Sequence, residues 1–273
     1  VVDNDSDDGS PEAVKQQFPS VRLIQNDDNY GFAKANNIGI EQAKGRYLAL
    51  VNSDVEVFPG CLDSLFQFME NNSTIGLCGP KILNADHTLQ PSAMYFPSIR
   101  MSITHSLALH RVFPKSNYTA SLFMNSFPYD RIESVDALSG CFWFIRKQTL
   151  DQIGLLDERF FMYGEDIDLC KRVHKGEYDV CFYPDAQAIH YGGASSDNAP
   201  VRFFLELQKA RLLYWKKHHG NIGILFTRLV ILFEQTLRLI SRSVQYPFSK
   251  NQRDICLLKI KRSAASIRYF LSH

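Results

Sequence analysis

Several patterns that would place this sequence in a common class are missing from it. No Cys-x-x-Cys pair occurs, so the six cysteines point to neither a zinc ribbon nor a disulfide framework and are interpreted as reduced thiols of the core. The absence of a Gly-x-x-x-x-Gly-Lys-Ser/Thr loop excludes a P-loop kinase. No phosphate loop rich in Gly, Arg and Lys lies near the front, which argues against a nucleotidyltransferase. No nucleophile elbow is found, so a covalent enzyme intermediate is not expected.

The charges are balanced overall but separated along the chain. The net charge is +1, with 30 Lys and Arg against 29 Asp and Glu. Residues 1–200 hold 16 basic and 26 acidic residues, whereas residues 201–273 hold 14 basic and 3 acidic ones. An acidic front suits a site that uses a cation, and a basic end suits an anionic surface. We therefore predict a catalytic domain over residues 1–199 and a basic, amphipathic helical segment over residues 200–273.

The helical segment has no apolar run of the roughly 20 residues that a membrane-spanning helix needs. Apolar residues between Ile222 and Ile240 fall near one helical face. This stripe fits a helix lying in a membrane interface, and it also fits packing on the core of the protein itself. The basic charge favours the first alternative, so we expect an anionic membrane surface as partner and a cytoplasmic location at the inner face of the cell membrane. Nucleic acid is not expected, because the basic residues alternate with Leu, Ile and Phe.

Strand and helix patterns alternate over the first two-thirds of the chain. Strands are predicted at residues 1–2, 21–24, 47–51, 75–83 (interrupted by Gly79 and Pro80), 135–145, 180–183 and 188–191. Helices are predicted to begin at the N-cap Ser10 and to cover residues 32–43, 62–70, 147–153 and 167–175. Residues 84–135 are interpreted as a long irregular excursion. This order predicts an α/β fold with a mainly parallel sheet and helices on both faces.

Polar residues follow the predicted strands at two points. Asn52 and Asp54 come directly after the apolar strand 47–51, at the edge of the sheet where α/β folds bind ligands. Their oxygens suit Mg²⁺ or Mn²⁺ bridging a diphosphate, although such a triplet is also common in turns. His190 precedes two glycines, and a neutral imidazole there could bind a metal while the backbone approaches phosphate. A lone histidine is more often structural.

Adjacent acids lie between an aromatic run and a predicted helix. Glu165 and Asp166 follow residues 160–163, whose bulk favours partial desolvation and hence a general base. Asp168 is interpreted as a helix-start cap or as the partner of Arg172 four residues later.

Five motifs occur in an order that resembles a known family. They are VVDNDSDDGS, NYGFAKANNIGI, GRYLALVNSDVEV, the segment 138–177 and HYGGAS. Together they resemble the family 2 glycosyltransferases of the GT-A fold, and most of all the rhamnosyltransferase-like branch that builds bacterial surface polysaccharides. The resemblance covers roughly residues 1–215. Other members begin with a further strand, turn and helix before the Val-Val-Asp-Asn strand, so we expect that the first strand–helix unit is missing here.

The resemblance implies an inverting transferase that depends on Mg²⁺ or Mn²⁺. It implies a nucleotide-sugar donor, with thymidine-diphosphate rhamnose favoured, and a hydroxyl acceptor on a lipid-linked or polysaccharide chain. Metal binding is assigned to Asp54 and His190, and the catalytic base to Asp166 with Glu165 beside it. Donor binding is assigned to a larger set: Asp3, Gly31, Asn36, Asn37, Asn52, Asp54, Gly140 and Trp143. The alternative is a non-catalytic sugar-nucleotide-binding or membrane scaffold protein derived from a transferase.

Overall fold

The computed structural model describes residues 1–107, 109, 122–192, 199–248 and 252–272. Its contacts divide the chain into two compact units. The first, here called the sheet unit, comprises Val1–Phe96 and Phe127–Gly192. The second, the helical unit, comprises Pro97–Ser126 and Gly193–His273. The predicted domain boundary after residue 199 stays a prediction.

The strands of the described residues all belong to the sheet unit. In chain order they are β1 (Val2–Asp3), β2 (Ile24–Gln25), β3 (Tyr47–Val51), β4 (Val55–Val57), β5 (Ile75–Leu83), β6 (Ala93–Met94), β7 (Glu133–Ser134), β8 (Ala137–Leu138), β9 (Phe142–Arg146) and β10 (Asp179–His190). The central sheet has the order β3-β9-β5-β10-β4, and β7 also pairs with β10. Two small pairs, β1 with β2 and β6 with β8, complete the unit.

The helices occur in both units. In chain order they are α1 (Ser10–Gln17), α2 (Phe32–Gln42), α3 (Cys61–Asn71), α4 (Ile99–Ser106), α5 (Lys147–Ile153), α6 (Glu165–Lys175), α7 (Pro200–Gln245) and α8 (Arg253–Ser272). A short 3₁₀ helix, Tyr246–Phe248, follows α7. Helices α4, α7 and α8 belong to the helical unit.

The α/β class is confirmed, but the sheet is mixed rather than mainly parallel. β5 and β10 are parallel, whereas β9 runs antiparallel to both of its neighbours, β3 and β5. β4 and β7 are also antiparallel to β10. Apolar periodicity gives the position of a strand but not its direction, which is why the sequence did not reveal this arrangement.

Other differences from the predicted elements lie at breaks and caps. The predicted strand 135–145 is two strands, β8 and β9, separated by residues 139–141. β5 runs through Gly79 and Pro80 without interruption; Pro80 lies beyond the residues of β5 that pair with β9, so its missing N–H costs no hydrogen bond to that strand. The two predicted pieces 180–183 and 188–191 form the single strand β10. Gly9, at φ 82°, occupies the N-cap of α1, so the prediction of Ser10 as the cap was wrong.

The predicted excursion 84–135 contains β6, α4 and β7, so it is less irregular than expected. Part of it, residues 108 and 110–121, lies outside the described residues.

The core of the sheet unit lies between α3 and the central sheet. Leu65 and Met69 of α3 pack in one buried cluster with Cys78, Phe142 and other side chains of β5, β9 and β10. All six cysteines are buried and free, which confirms their interpretation as small core side chains. Burial raises the pKa of three of these thiols to about 11, so they stay protonated at neutral pH: Cys61, Cys141 and Cys181.

The helical unit is built on a helix that turns back on itself. Gly220, at φ 63° and ψ −150°, breaks α7 into two arms, residues 200–219 and 221–245. Arg211 on the first arm lies 3.0 Å from Glu234 on the second, which shows that the arms run side by side. α8 packs on the second arm, where the Ser263 hydroxyl donates to the amide oxygen of Gln235 (3.1 Å). No helix among the described residues is both long enough and apolar enough to cross a membrane.

Candidate active site

Strand pairing brings Asp54 and His190 together. A turn in which the Val55 N–H donates to the Asn52 carbonyl joins β3 to β4, and Asp54 lies inside this turn. β4 pairs with the end of β10 in a register that sets Val55 opposite His190. As a result, Nε2 of His190 lies 3.4 Å from a carboxylate oxygen of Asp54, with both side chains partly exposed. Residues more than 130 positions apart in the sequence thus meet at the predicted edge of the sheet.

The other ring nitrogen of His190 is held by Gln90. Nδ1 of His190 lies 2.7 Å from the Gln90 side-chain oxygen, and the Gln90 amide nitrogen donates to the His190 carbonyl (3.2 Å). That nitrogen also donates to the side-chain oxygen of Asn84 (2.8 Å), whose own nitrogen donates to the Leu89 carbonyl. Because carbonyls only accept hydrogen bonds, they fix the orientation of both amides.

The proton of a neutral His190 therefore lies on Nδ1, which leaves the lone pair of Nε2 facing Asp54. Sequence reasoning missed Gln90 and Asn84, since both lie in the stretch that was interpreted as irregular.

The Asp54–His190 pair has the donor chemistry of a divalent-metal site. Its separation is longer than a normal hydrogen bond, and a carboxylate oxygen beside an imidazole nitrogen is a donor set that divalent transition metals accept. Among the described residues there is no group of three or more His, Cys, Asp or Glu side chains that could hold an ion. Two protein ligands are what a Mg²⁺-type site uses when substrate phosphates supply the others. The residues present therefore fit a metal that binds together with a diphosphate.

The two adjacent acids begin α6. Gly164, at φ 81°, turns the chain into the helix, so Glu165 and Asp166 form its first residues; the helix starts two residues earlier than predicted. The Asp166 carboxylate accepts the N–H of Ile167 (2.8 Å), and the backbone N–H of Gly140 is near enough to lower its pKa. Burial raises the pKa of Asp166, and the backbone N–H groups of Ile167 and Gly140 oppose this rise in part.

Glu165 is the more deeply buried of the two acids. Its side chain is 5% exposed, and Oε2 has no hydrogen-bond partner among the described residues. Burial, together with the charge of Asp166, raises the pKa of Glu165 well above its usual range. Glu165 therefore favours the protonated state, so that only one negative charge is held at this position.

The turn between β8 and β9 connects the metal pair to the acids. The Cys141 carbonyl accepts the N–H of Asn52 (3.0 Å), two residues before Asp54. One residue earlier, the backbone N–H of Gly140 is near enough to the Asp166 carboxylate to lower its pKa. A three-residue turn thus lies beside both the segment that precedes Asp54 and the start of α6.

Gly31 packs directly on the segment before the acids. The Phe32 N–H donates to the Phe161 carbonyl (2.7 Å), and a Cβ at Gly31 would lie 2.3 Å from that same oxygen. Gly31 also has φ 83°, so the position suits glycine on both counts. This contact ties the start of α2 to residues 161–166, and the predicted role of Gly31 in donor binding stays a prediction.

The other predicted donor-binding residues have varied surroundings. Asn36 donates within α2 to the Phe32 carbonyl (2.9 Å), and the buried Asn37 holds the loop at Leu156. The Asp3 carboxylate accepts the N–H of Ser6 (3.3 Å) in the polar loop after β1 and stays a candidate for the nucleoside. Trp143 is completely buried, and its indole N–H donates to the Leu138 carbonyl (3.1 Å). It supports the 139–141 turn from the core, and its predicted role in donor binding stays a prediction.

Asp168 takes the structural role predicted for it. Its buried carboxylate accepts a hydrogen bond from Arg172 Nε (2.9 Å) one helical turn later. The guanidinium also donates to the carbonyls of Ile153 and Gly154, and so joins α6 to the end of α5.

Comparison with known proteins decides what this arrangement belongs to. Residues 1–153, more than half of the chain, match the profile of glycosyl transferase family 2. The chain belongs to this family. It is 29% identical over 236 residues to the N-acetylglucosaminyl-diphospho-decaprenol L-rhamnosyltransferase of Mycobacterium tuberculosis, covering 81% of this chain and 75% of that protein. It is 23% identical over 196 residues to the low-salt glycan biosynthesis hexosyltransferase Agl10 of Haloferax volcanii, covering 70% and 57%.

Solved structures show the same fold at low identity. The mannosyltransferase PcManGT from Pyrobaculum calidifontis, in complex with GDP-Man and Mn²⁺, aligns with a TM-score of 0.53 and 11% identity, covering 100% of this chain and 77% of that one. GalNAc-T7 with UDP, GalNAc and Mn²⁺ aligns with a TM-score of 0.52 and 14% identity; the whole of this chain covers 49% of that one. The family 2 chain is therefore a glycosyltransferase of the GT-A fold that is similar to rhamnosyltransferases, as the motifs predicted.

Proposed function

We propose that this family 2 glycosyltransferase inverts configuration, requires Mg²⁺ or Mn²⁺, and transfers rhamnose from thymidine-diphosphate rhamnose to a hydroxyl of a lipid-linked acceptor. The observation that carries the proposal is the Asp54–His190 pair, in which Nε2 faces the carboxylate at 3.4 Å. The donor and acceptor classes rest on the mycobacterial relative, whose name specifies a rhamnosyl transfer to N-acetylglucosaminyl-diphospho-decaprenol.

Asp54 and His190 would hold the metal in this proposal. When bound, the ion supplies positive charge that stabilises the diphosphate leaving group. Asp54 contributes the negative charge that attracts the cation, and the Gln90 oxygen at Nδ1 sets the tautomer in which the lone pair of a metal-binding His190 is on Nε2. Asn52 carries no charge, so the protein side of the site stays less acidic than one with two carboxylates.

Asp166 acts as the general base. It accepts the proton of the acceptor hydroxyl while the oxygen forms a bond to the anomeric carbon and the bond to the diphosphate oxygen breaks. Attack from the face opposite to the leaving group inverts the configuration in one step. The N–H group of Ile167 orients the carboxylate. The raised pKa makes it a stronger base once it is ionised.

A non-catalytic scaffold derived from a transferase is the alternative. Such a protein is expected to have lost at least one of the chemically active side chains. Asp54, Asp166 and His190 are all present, and the structure brings Asp54 and His190 together. These observations favour retained catalysis.

The test is a donor panel with Mn²⁺ and a polyprenyl-diphospho-N-acetylglucosamine acceptor. We expect release of thymidine diphosphate and a product whose new glycosidic bond has the configuration opposite to that of the donor, read by NMR. Turnover only with uridine- or guanosine-diphosphate sugars would refute the assigned donor, and a product with the donor's configuration would refute the single displacement.

A further inference from the structure

The second arm of α7 carries an apolar stripe on its outer surface. The side chains of this outer stripe are 45–84% exposed although they are large and apolar: Ile222, Leu225, Leu229, Phe233, Leu237, Ile240 and Val244. At 100° per residue these seven positions fall within an arc of about 120° on one side of the helix. A contiguous exposed apolar surface of this kind marks a contact site rather than the scatter of single apolar residues on an ordinary surface.

The opposite side of the same arm is the buried one, and it is the more polar. The residues that it buries are Gly223, Thr227, Ile231, Glu234 and Gln235. A helix that packs on a water-soluble core normally buries its apolar side. Here polar side chains are turned inward and the long apolar ones outward, so the arrangement of this arm is inverted. The inversion indicates that the outer side meets an apolar environment.

Charged residues avoid the outer stripe. The four charged side chains of the arm all lie outside the arc of the stripe: Arg228, Glu234, Arg238 and Arg242. Glu234 is fully engaged on the inner side, where it pairs with Arg211 and Arg238. The outer arc therefore has no charge that insertion into an apolar medium would have to desolvate.

The spacing of the stripe fits a flat partner and does not fit a left-handed coiled coil. Consecutive stripe residues are on average about 3.7 positions apart, close to the 3.6 of a straight helix; this spacing argues against a left-handed coiled coil, whose period is 3.5, and leaves other helical partners to the dimer test below. A straight stripe from Ile222 to Val244 keeps one line of contact over roughly 33 Å, given a rise of 1.5 Å per residue. A planar surface can follow such a line along its whole length.

The charge of the surrounding sequence identifies the surface. Residues 201–273 hold 14 Lys and Arg against 3 Asp and Glu. Two of the three acids are neutralised by neighbours, Glu206 by Lys209 and Glu234 by Arg211 and Arg238. The positive excess complements anionic headgroups, while the stripe complements the acyl region beneath them.

We infer that the outer stripe of α7 inserts into the headgroup–acyl boundary of an anionic lipid bilayer, with the helix lying parallel to the membrane plane. The inference extends the proposed function, because a lipid-linked acceptor is presented at that depth. It assigns membrane contact to one side of one arm, and not to the basic residues alone.

Vesicle flotation tests this assignment. The full chain is mixed with vesicles of phosphatidylcholine and the anionic lipid phosphatidylglycerol, and with vesicles of phosphatidylcholine alone. We expect the wild-type chain to float with the anionic vesicles and the variant Leu229→Glu/Phe233→Glu to lose at least tenfold in bound fraction. Leu207→Glu is the matched control, since Leu207 is an exposed leucine (39%) on the first arm, outside the stripe. Its binding should stay close to wild type.

Site-specific labelling gives a second readout that does not depend on losing binding. All six native cysteines are buried, so a cysteine introduced at Leu229 can be labelled selectively with an environment-sensitive dye. We expect a blue shift of the dye emission on adding vesicles for Leu229→Cys and none for Leu207→Cys.

Three results would overturn the inference. The first is that the wild-type chain does not float with the anionic vesicles. The second is that the double variant floats with them as well as the wild type does. The third is a wild-type dimer in the absence of lipid that the double variant converts to monomer, which would assign the stripe to a second copy. Nucleotide-sugar turnover on a soluble acceptor should be unchanged in the double variant. Failure of membrane contact is thereby separated from failure of the proposed transfer reaction.

Discussion

The side-chain oxygen of Gln90 lies 2.7 Å from Nδ1 of His190, and this contact decides which ring nitrogen faces Asp54. Gln90→Leu removes the acceptor, so the imidazole is free to rotate or to change tautomer. We expect metal affinity in the presence of donor to fall by roughly 10–100-fold, the usual cost of losing the partner of a metal-binding histidine. Titration of activity with Mn²⁺ measures it.

Two variants show whether that effect is specific. Gln90→Glu keeps an oxygen acceptor for Nδ1 and should recover part of the metal affinity. Gln152→Ala removes an exposed glutamine that contacts the Gly176 carbonyl on the sheet unit, and it should behave like wild type. Equal Mn²⁺ titrations for Gln90→Leu and wild type would show that Gln90 does not position His190.

Gly31 and Gly9 share a positive φ, 83° and 82°, but ψ is 177° at Gly31 and 3° at Gly9, so Gly31 has a conformation that is almost restricted to glycine, and the surroundings also differ. Gly9→Ala meets no atom within 4 Å, so we expect only the backbone strain, about 1 kcal/mol in the free energy of unfolding. Gly31→Ala places Cβ 2.3 Å from the Phe161 carbonyl oxygen, which should cost a further 1–3 kcal/mol or so and shift the segment before Asp166.

Chemical denaturation and turnover measure the two effects together. Gly31→Ala should lose activity at temperatures where it remains folded, whereas Gly9→Ala should not. Equal stability and activity of the two variants would show that the packing of Gly31 on Phe161 is unimportant.

Glu234 makes the helical unit sensitive to acid. Burial alone would raise its pKa, but the hydrogen bond to His105 and the charges of Arg211 and Arg238 outweigh burial and lower the pKa to about 2. Because the folded pKa lies below the unfolded one, the stabilisation is present above about pH 4.5 and is lost as the pH falls towards 2. This lowering of the Glu234 pKa corresponds to roughly 3 kcal/mol in the free energy of unfolding at neutral pH.

The variant Glu234→Gln should therefore unfold more easily at pH 7, with a cost that disappears towards pH 2. Glu206→Gln, which removes a more ordinary pair with Lys209, should change stability by less than about 1 kcal/mol. The stability of both variants is measured from the helical circular dichroism signal during denaturation at several pH values. A Glu234→Gln chain as stable as wild type at pH 7 would contradict the assignment.

The effect of Glu165 on stability has the opposite pH dependence to that of Glu234. Its folded pKa is raised by burial and by Asp166, so ionisation costs stability as the pH rises above about 4.5, the ordinary value for glutamate. We expect Glu165→Gln to have a higher Tm than wild type at pH 8, with a difference that shrinks towards pH 4.5. The exposed Glu41→Gln is the control and should show no such trend. A lower Tm of Glu165→Gln at pH 8 would show that the buried carboxylate is stabilising.

The sequence predicted the parts of the site that depend on local pattern. Strand 47–51, with Asn52 and Asp54 after it, was found from an apolar run that ends in polar residues. The Asp168–Arg172 pair was found from helical spacing. The antiparallel insertion of β9 and the pairing of Gln90 with His190 depend on contacts across 100 residues, which no local pattern encodes. The burial of Trp143 likewise follows from tertiary packing.

The second arm of α7 also shows what a local sequence pattern cannot predict. The apolar periodicity between Ile222 and Ile240 was visible in the sequence, but periodicity does not tell which side of a helix is buried. Only the positions of Gln235 and Glu234 in the interior reveal that the apolar side faces outward.

The measurement that tests the central claim most directly is release of nucleoside diphosphate from the donor, with and without Mn²⁺. It is made on the wild-type chain and on Asp54→Ala, Asp166→Asn and the exposed control Asp63→Ala. We predict metal-dependent release by wild type and by Asp63→Ala, and a loss of at least 100-fold in both site variants, with donor binding retained only in Asp166→Asn. Metal-dependent release by Asp54→Ala at the wild-type rate would contradict the account.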